Sequence, residues 1–89
     1  MSYCIKCIIK GQVQGVFYRD TTRNKACELD LAGHAYNLIN GHVEVVACGD
    51  EDKVKQLQKW LWQGSEHATV SDVVCEVIEG DAEGGFVTG

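Results

Sequence analysis

The chain has 89 residues, 45% of them hydrophobic and 24% charged, and this ordinary globular composition predicts a single domain spanning residues 1–89. It has no proline and ten scattered glycines, and no apolar run approaches the ~20 residues of a membrane helix, which argues against collagen-like, proline-rich and membrane-spanning proteins. The net charge of −5 argues against a general binder of nucleic acids or anionic membranes, because such partners repel an acidic surface.

The charge is unevenly distributed along the chain. Residues 1–25 carry five basic side chains and one acidic one, whereas residues 26–89 carry three basic and twelve acidic ones. Any site for a small anion is therefore expected in the first quarter. The N-terminus lacks the charged and then apolar pattern of a signal peptide, so a cytoplasmic location is expected.

The five cysteines are expected to be reduced, because cytosolic disulfides are uncommon. Cys4 and Cys7 have the spacing of a redox or metal motif, but residues three apart on a strand point to opposite faces of a sheet. Small apolar packing residues are therefore the favoured interpretation, and a redox or metal role is the alternative.

The first predicted element is a strand over residues 4–10, in which Ile5, Cys7 and Ile9 alternate toward one face. Glycines then bracket a loop over residues 11–15.

A helix is expected next, with Asp20 or Thr21 as its N-cap. Gly33 is expected to close the turn that follows the helix. The predicted inward stripe of the helix is Thr22, Ala26 and Leu29.

A hairpin is predicted from strands over 34–39 and 42–48, joined by the strong turn signal Asn40-Gly41. Three acidic residues at 50–52 favour the start of a second helix through its dipole, and Gly64 is expected to end it. The buried face of this helix is predicted to contain Val54, Leu57 and Leu61, with Trp60 beside them.

A fourth strand is predicted over 70–78, then an acidic and glycine-rich mobile segment over 79–85, and a short edge strand at 86–87. The order βαββαβ predicts an α+β fold of the ferredoxin-like type, a sandwich with both helices on one face of an antiparallel sheet. In this split βαβ arrangement the first strand lies centrally, antiparallel to the third and fourth.

The segment from Gly11 to Arg19, Gly-Gln-Val-Gln-Gly-Val-Phe-Tyr-Arg, carries the functional signal. A strand ends there in a glycine-bounded loop that leads into a helix N-terminus, where backbone N–H groups and the helix dipole attract a tetrahedral anion. Arg19 can bind phosphate through two parallel hydrogen bonds. From these features alone, the segment could be either a phosphate-binding loop or an ordinary turn.

This segment resembles the acylphosphatase signature Gly-x-Val-Gln-Gly-Val-x-Phe/Tyr-Arg at every fixed position. The stretch from residue 33 to 43 resembles the second signature of that family, whose glycines it keeps together with Ala35 and Asn37. It departs from the signature at His34, which replaces an aromatic residue, and at Tyr36, which replaces a basic one. The resemblance covers essentially the whole chain and is to small, single-domain, prokaryotic-like members.

The resemblance implies an enzyme that hydrolyses the carboxyl–phosphate bond of acyl phosphates to a carboxylate and inorganic phosphate, without a metal or cofactor. Arg19 would hold the phosphate, and Asn37 would orient the attacking water, because its amide offers both an acceptor and donors. The loop backbone that would bind the phosphate comprises Gln14, Gly15, Val16, Phe17, Tyr18 and Arg19. The implied partners are a small-molecule acyl phosphate and inorganic phosphate as product or inhibitor, whereas nucleic acid and membranes are not expected and the chain is expected to be a monomer.

Each assignment has an alternative. Arg19 would instead be a surface residue paired with Asp20 or Glu28, and Asn37 a buried polar residue that joins its strand to the loop. Asp20 is interpreted as a helix cap rather than a base, since a carboxylate would repel a bound phosphate, and Trp60 as a core residue. The departures at positions 34 and 36 favour a second hypothesis, a non-catalytic phosphate-binding or regulatory module on the same fold.

The three histidines, His34, His42 and His67, are widely spaced and are expected to be exposed, so a shared metal site is not predicted. Cys4 begins the first strand and Cys48 ends the third, and the antiparallel arrangement makes these two ends neighbours on the outer face. A disulfide between Cys4 and Cys48 is therefore geometrically allowed under oxidising conditions.

Overall fold

Two helices pack on one five-stranded sheet, in the element order predicted from the sequence. The computed structural model describes residues 2–81 and 84–88. In chain order the elements are β1 (Tyr3–Gln12), α1 (Tyr18–Glu28), β2 (Ala32–Asn37), β3 (Val43–Gly49), α2 (Glu51–Leu61), β4 (Thr69–Ile78) and β5 (Phe86–Thr88). Each helix has eleven residues, and no helix in the described part of the chain is long and apolar enough to cross a bilayer.

The strands lie side by side in the order β4-β1-β3-β2-β5. β1 is antiparallel to β3 and β4, which confirms its predicted central position. β5 forms the predicted edge strand and pairs parallel with β2, so the sheet is mixed rather than wholly antiparallel. Of the segment predicted to be mobile, residues 82 and 83 lie outside the described residues.

The core lies between the helices and one face of the sheet. Every second residue of the central strands is buried on that face, as the two-residue period of a strand requires. The strands contribute Ile5, Cys7, Ile9, Ala35, Val43, Val45 and Ala47, and the helices contribute Tyr18, Ala26, Val54, Leu57 and Leu61.

Helix α1 begins earlier than the sequence suggests. Its first residue follows Phe17, which has φ 61° and makes no side-chain capping bond. The prediction of an N-cap at Asp20 or Thr21 is therefore wrong: both residues lie inside the helix, and the Thr21 hydroxyl donates to the Phe17 carbonyl at 2.8 Å. The left-handed residue, rather than a polar side chain, turns the chain into the helix.

The end of α1 also differs from the prediction. The chain leaves the helix through Asp30, which has φ 57°, and Gly33 already lies within β2. A Cβ atom on Gly33 would clash with the carbonyl oxygen of Val46 on β3. Gly33 is therefore required for the close approach of two strands and not for a helix turn.

Helix α2 follows the sequence closely. Asp50 is its N-cap and accepts a hydrogen bond from the backbone N–H of Asp52 at 3.0 Å, which satisfies one of the free donors of the first turn. Its buried residues are Val54, Leu57 and Leu61, as predicted. Trp60 packs against the edge of this core and stacks on Tyr18, with ring centroids 6.2 Å apart.

The structure joins four cysteines in two cross-strand disulfides. Cys4 pairs with Cys48 between β1 and β3, and Cys7 pairs with Cys75 between β1 and β4, with Cα–Cα distances of 4.1 and 4.0 Å. Both links differ from the expectation that the thiols are reduced, and the second was not foreseen. Cys27 is a free and exposed thiol.

Candidate active site

The loop between β1 and α1 contains two residues with a left-handed backbone. Gly15 has φ 74° and Phe17 has φ 61°, so two left-handed residues are separated by a single residue, Val16. Alternating left-handed and right-handed residues turn successive N–H groups toward one concave side, where they bind anions. The loop borders a cavity of about 230 Å³, here called the loop cavity. The loop cavity is lined by Gly15, Phe17, Arg19 and Asp20.

Three hydrogen bonds from side chains fix the C-terminal part of the loop. The hydroxyl of Ser65, on the α2–β4 connection, donates to the Val16 carbonyl at 2.7 Å. Tyr18 is buried, and its hydroxyl donates to the Leu61 carbonyl at 2.7 Å. Burial raises the pKa of the Tyr18 phenol, so it remains a neutral donor. With the bond from Thr21 to Phe17, these contacts fix the backbone of residues 16–18.

A fourth side chain fixes the other end of the loop. The side-chain amide nitrogen of Gln14 donates to the backbone carbonyls of Leu38 and His42, each at 2.8 Å. These two carbonyls belong to the turn between β2 and β3, which is closed by a bond from the Leu38 N–H to the His42 carbonyl at 2.8 Å. The loop is therefore tied directly to the turn that follows Asn37.

This tie brings the two predicted catalytic residues together. Arg19 and Asn37 line a second cavity of about 620 Å³, here called the strand cavity. Among the residues that the structure describes, the strand cavity is lined by Arg19, Tyr36, Asn37 and Thr88. Since Arg19 also lines the loop cavity, a phosphate bound in the loop lies next to the strand cavity that contains Asn37.

Three of the remaining predicted phosphate-binding residues have side chains that are buried or bonded elsewhere in the fold. The Tyr18 side chain is buried and Val16 is half-buried against the core, so neither side chain faces a ligand. The Gln14 side chain is used by the β2–β3 turn. The sequence analysis missed Ser65, because nothing in the sequence links it to a residue 49 positions away.

Asp20 lines the loop cavity and lies inside α1, so it is not a helix cap. Its carboxylate lies 3.8 Å from the guanidinium of Arg23, one helical turn along α1. Glu28, the other suggested partner of Arg19, lies 3.7 Å from the ammonium of Lys25.

A cluster of polar side chains supports Tyr36 from the open face of the sheet. The Tyr36 ring stacks on the His34 ring with centroids 4.1 Å apart and planes inclined by 9°. His34 Nε2 lies 2.8 Å from Glu44 Oε2, and Lys6 Nζ lies 3.6 Å from Glu44 Oε1. The hydrogen bond from His34 is the main cause that lowers the pKa of Glu44. His34 is thus half-buried and bonded, not exposed as expected, and within residues 2–81 and 84–88 no three potential metal ligands form a group.

Comparison with known proteins identifies strong similarities. The family model described as acylphosphatase matches residues 5–88. An acylphosphatase from Coxiella burnetii (strain Dugway 5J108-111) is 49% identical over 75 residues, which is 84% of this chain and 79% of that relative. The solved structure of an acylphosphatase from Coxiella burnetii superposes with a TM-score of 0.94 at 43% identity, covering 99% of this chain and 93% of that one. The acylphosphatase from Bacillus subtilis superposes with a TM-score of 0.90 at 28% identity, covering 100% and 99% of the two chains.

Proposed function

Because this chain belongs to the acylphosphatase family, we propose that it hydrolyses acyl phosphates where the loop cavity and the strand cavity meet. The observation that carries the proposal is the position of Arg19, which lines both cavities. In the reaction, a water oxygen forms a bond to phosphorus while the bond between phosphorus and the carboxyl oxygen breaks. The products are a carboxylate and inorganic phosphate.

The phosphoryl group is held by the loop. The N–H groups of residues 14–19 and the Arg19 guanidinium donate to its oxygens, and the N-terminus of α1 adds a favourable dipole. The transition state of phosphoryl transfer is loose and spreads negative charge over the equatorial oxygens. Donors that are already fixed in place therefore stabilise it without having to reorganise during the reaction.

The attacking water is held by Asn37. A primary amide offers one acceptor and two donor hydrogens, so it orients a neutral water without removing its proton. Full deprotonation before attack is unnecessary, because a loose transition state makes few demands on the nucleophile. Asn37 is exposed at the end of β2, where water reaches it freely.

The leaving group explains why the proposed mechanism uses no general acid or metal ion. A carboxylate is a weak base, with a pKa of about 4 for its conjugate acid. It departs as an anion without being protonated or coordinated. Inorganic phosphate, the second product, fits the same donors as the phosphoryl group and is therefore proposed to inhibit by competition.

The domain organisation, the oligomeric state and the location of the protein in the cell are predicted from the sequence alone. We propose that residues 1–89 act as one domain and as a monomer, which light scattering of the purified protein would test. A cytoplasmic location is proposed as well, and cell fractionation would test it.

The decisive experiment measures phosphate release from acetyl phosphate and from benzoyl phosphate, with a chelator in excess. The wild-type chain is expected to turn over both compounds. Arg19→Ala is expected to lower kcat/KM by about 10³-fold or more, because it removes a charge that stabilises the transition state.

Arg23→Ala is the matched control, since Arg23 lies one turn along the same helix and pairs with Asp20. It should retain most of the activity. Full activity of Arg19→Ala would show that the catalytic assignment is wrong. Phosphate binding without any turnover would instead identify a non-catalytic anion-binding or regulatory module.

A further inference from the structure

Phe17 combines two unfavourable properties at one position. Its backbone is left-handed, with φ 61°, which is rare for a bulky residue because Cβ approaches the following carbonyl. Its aromatic side chain is 73% exposed to solvent, so folding gains little from burying it. Neither the backbone nor the core therefore explains why a phenylalanine stands here.

The anion-binding loop requires the left-handed conformation but not the ring. Glycine, or asparagine, adopts this conformation at a lower free-energy cost and would present the same N–H groups. The carbonyl of Phe17 is held by the hydroxyl and the N–H of Thr21, at 2.8 and 3.0 Å, and these bonds need no side chain at position 17. The ring is therefore available to contact a bound molecule rather than another part of the protein.

The geometry of the reaction indicates what lies against the ring. In phosphoryl transfer the attacking and leaving oxygens are roughly in line, on opposite sides of phosphorus. Water bound by Asn37 approaches from the strand cavity. The acyl group would therefore leave from the opposite side of the phosphoryl group, on the side of the loop cavity, which Phe17 lines.

We propose that the Phe17 ring forms the binding surface for the acyl group and selects acyl phosphates with an aromatic or bulky apolar acyl group over acetyl phosphate. The proposal rests on the proposed function and names the substrate class of the same site. An aromatic ring offers a flat apolar surface and favourable stacking to a second ring, whereas a methyl group covers little of it. The chemistry of the phosphoryl group remains identical for both substrates.

The test compares the ratio of kcat/KM for benzoyl phosphate to kcat/KM for acetyl phosphate in wild type, Phe17→Ala, Phe17→Gly and Phe17→Leu. Any damage to the phosphate-binding loop affects both substrates and cancels in the ratio. The ratio is expected to fall by about tenfold in Phe17→Ala, the range seen when an apolar group loses its contact surface, and by less in Phe17→Leu. Phe17→Gly removes the ring and relieves the backbone strain, so it should match Phe17→Ala.

Trp62→Ala is the control, because Trp62 is another large aromatic residue, 52% exposed, on the surface at the end of α2. Its ratio should equal that of wild type. If a Phe17 variant turns over neither substrate, the inhibition constants of benzylphosphonate and methylphosphonate give the same comparison without turnover. An unchanged ratio in Phe17→Ala and Phe17→Gly would overturn the proposal, whereas a wild-type chain that hydrolyses neither compound would refute the proposed function itself.

Discussion

Asn37 is placed by another residue rather than by its own contacts. It is the last residue of β2 and is exposed, and the adjoining turn is held to the phosphate-binding loop by the two hydrogen bonds of the Gln14 amide. The amide proposed to orient water therefore lies next to a turn that is fixed relative to the loop between β1 and α1. A 1 Å displacement of such a group is enough to lower a rate substantially.

Replacing Asn37 with alanine tests this role. In Asn37→Ala, kcat should fall by about 10²-fold, the usual effect of removing one positioned polar group, while the inhibition constant of phosphate changes far less. Steady-state kinetics with phosphate as inhibitor measures both quantities. Asn24→Ala, an exposed asparagine on α1, is the control, and equal losses in turnover and phosphate binding would make Asn37 a structural residue.

The sequence predicts Arg19 and Asn37 as site residues because each lies in a short, nearly continuous motif, and the structure places both at the strand cavity. It does not identify Ser65, which reaches the loop from 49 positions away, or Thr88, which lines the strand cavity through the pairing of β5 with β2. Contacts of this kind depend on tertiary packing, which local patterns do not encode.

On the open face of the sheet, one carboxylate contacts side chains from two neighbouring strands. Glu44 of β3 lies between Lys6 of β1 and His34 of β2, at 3.6 and 2.8 Å. These contacts lower the pKa of Glu44 below its ordinary value of 4.5, chiefly through the hydrogen bond with His34. A group with a depressed pKa stabilises the folded state above its unfolded pKa, and this stabilisation is lost as the pH falls through the folded pKa.

Glu44→Gln should therefore destabilise the protein near pH 7. In acid, the variant and wild type should be equally stable. The expected decrease in Tm at pH 7 is at most about 5 °C, because the pair is partly exposed and solvent screens it. The difference from wild type should shrink as the pH falls below about 4.5. Thermal unfolding between pH 2.5 and 7 measures it, with the exposed Glu66→Gln as control, and an acid dependence identical to wild type would contradict the assignment.

At the ends of α1, propensity rules fail for a physical reason. Polar residues at 20 and 21 resemble an N-cap, but the left-handed Phe17 starts the helix earlier. Likewise Asp30 adopts the left-handed conformation that glycine usually supplies, which leaves Gly33 to serve the strand pairing. By contrast, α2 combines a capping aspartate, acidic first turn and periodic apolar residues, and these local signals agree, so its prediction is correct.

The two disulfides connect distant parts of the whole chain. They join residues separated by 44 and 68 positions, and both begin on the central strand β1. Closing loops of this length lowers the entropy of the unfolded chain, which stabilises the folded state by about 4 kcal/mol for each bond alone in the chain-entropy model. Their combined effect is smaller than the sum, since the first bond already restricts the chain.

Under oxidising conditions, we therefore predict that Cys4 bonds to Cys48 and Cys7 to Cys75. A non-reducing peptide map identifies the pairs, and reduction should lower Tm by roughly 10 °C or more. Cys27→Ser should leave both results unchanged, because Cys27 is exposed and unpaired. Alkylation of all five cysteines after air exposure, without a reductant, would refute the prediction.

The pairing of Cys4 with Cys48 can be predicted from the sequence, because both residues lie at the ends of strands that the fold places side by side. The pairing of Cys7 with Cys75 required the register of β1 against β4, and a shift of one residue would have turned the two side chains apart. Charge behaves similarly: the basic first quarter predicts an anion site there and this stays a prediction, whereas the cross-strand cluster around Glu44 depends on register.

The bonds between Gln14 and the β2–β3 turn have a consequence for protein engineering. An exposed hairpin turn is normally a favourable place for an inserted tag or a circular permutation site, and Ile39 at this turn is fully exposed. Here, however, the carbonyls of Leu38 and His42 are acceptors for the loop. Lengthening the turn would separate the two halves of the site without replacing any residue that touches the substrate, so fusions are better placed at another edge of the molecule.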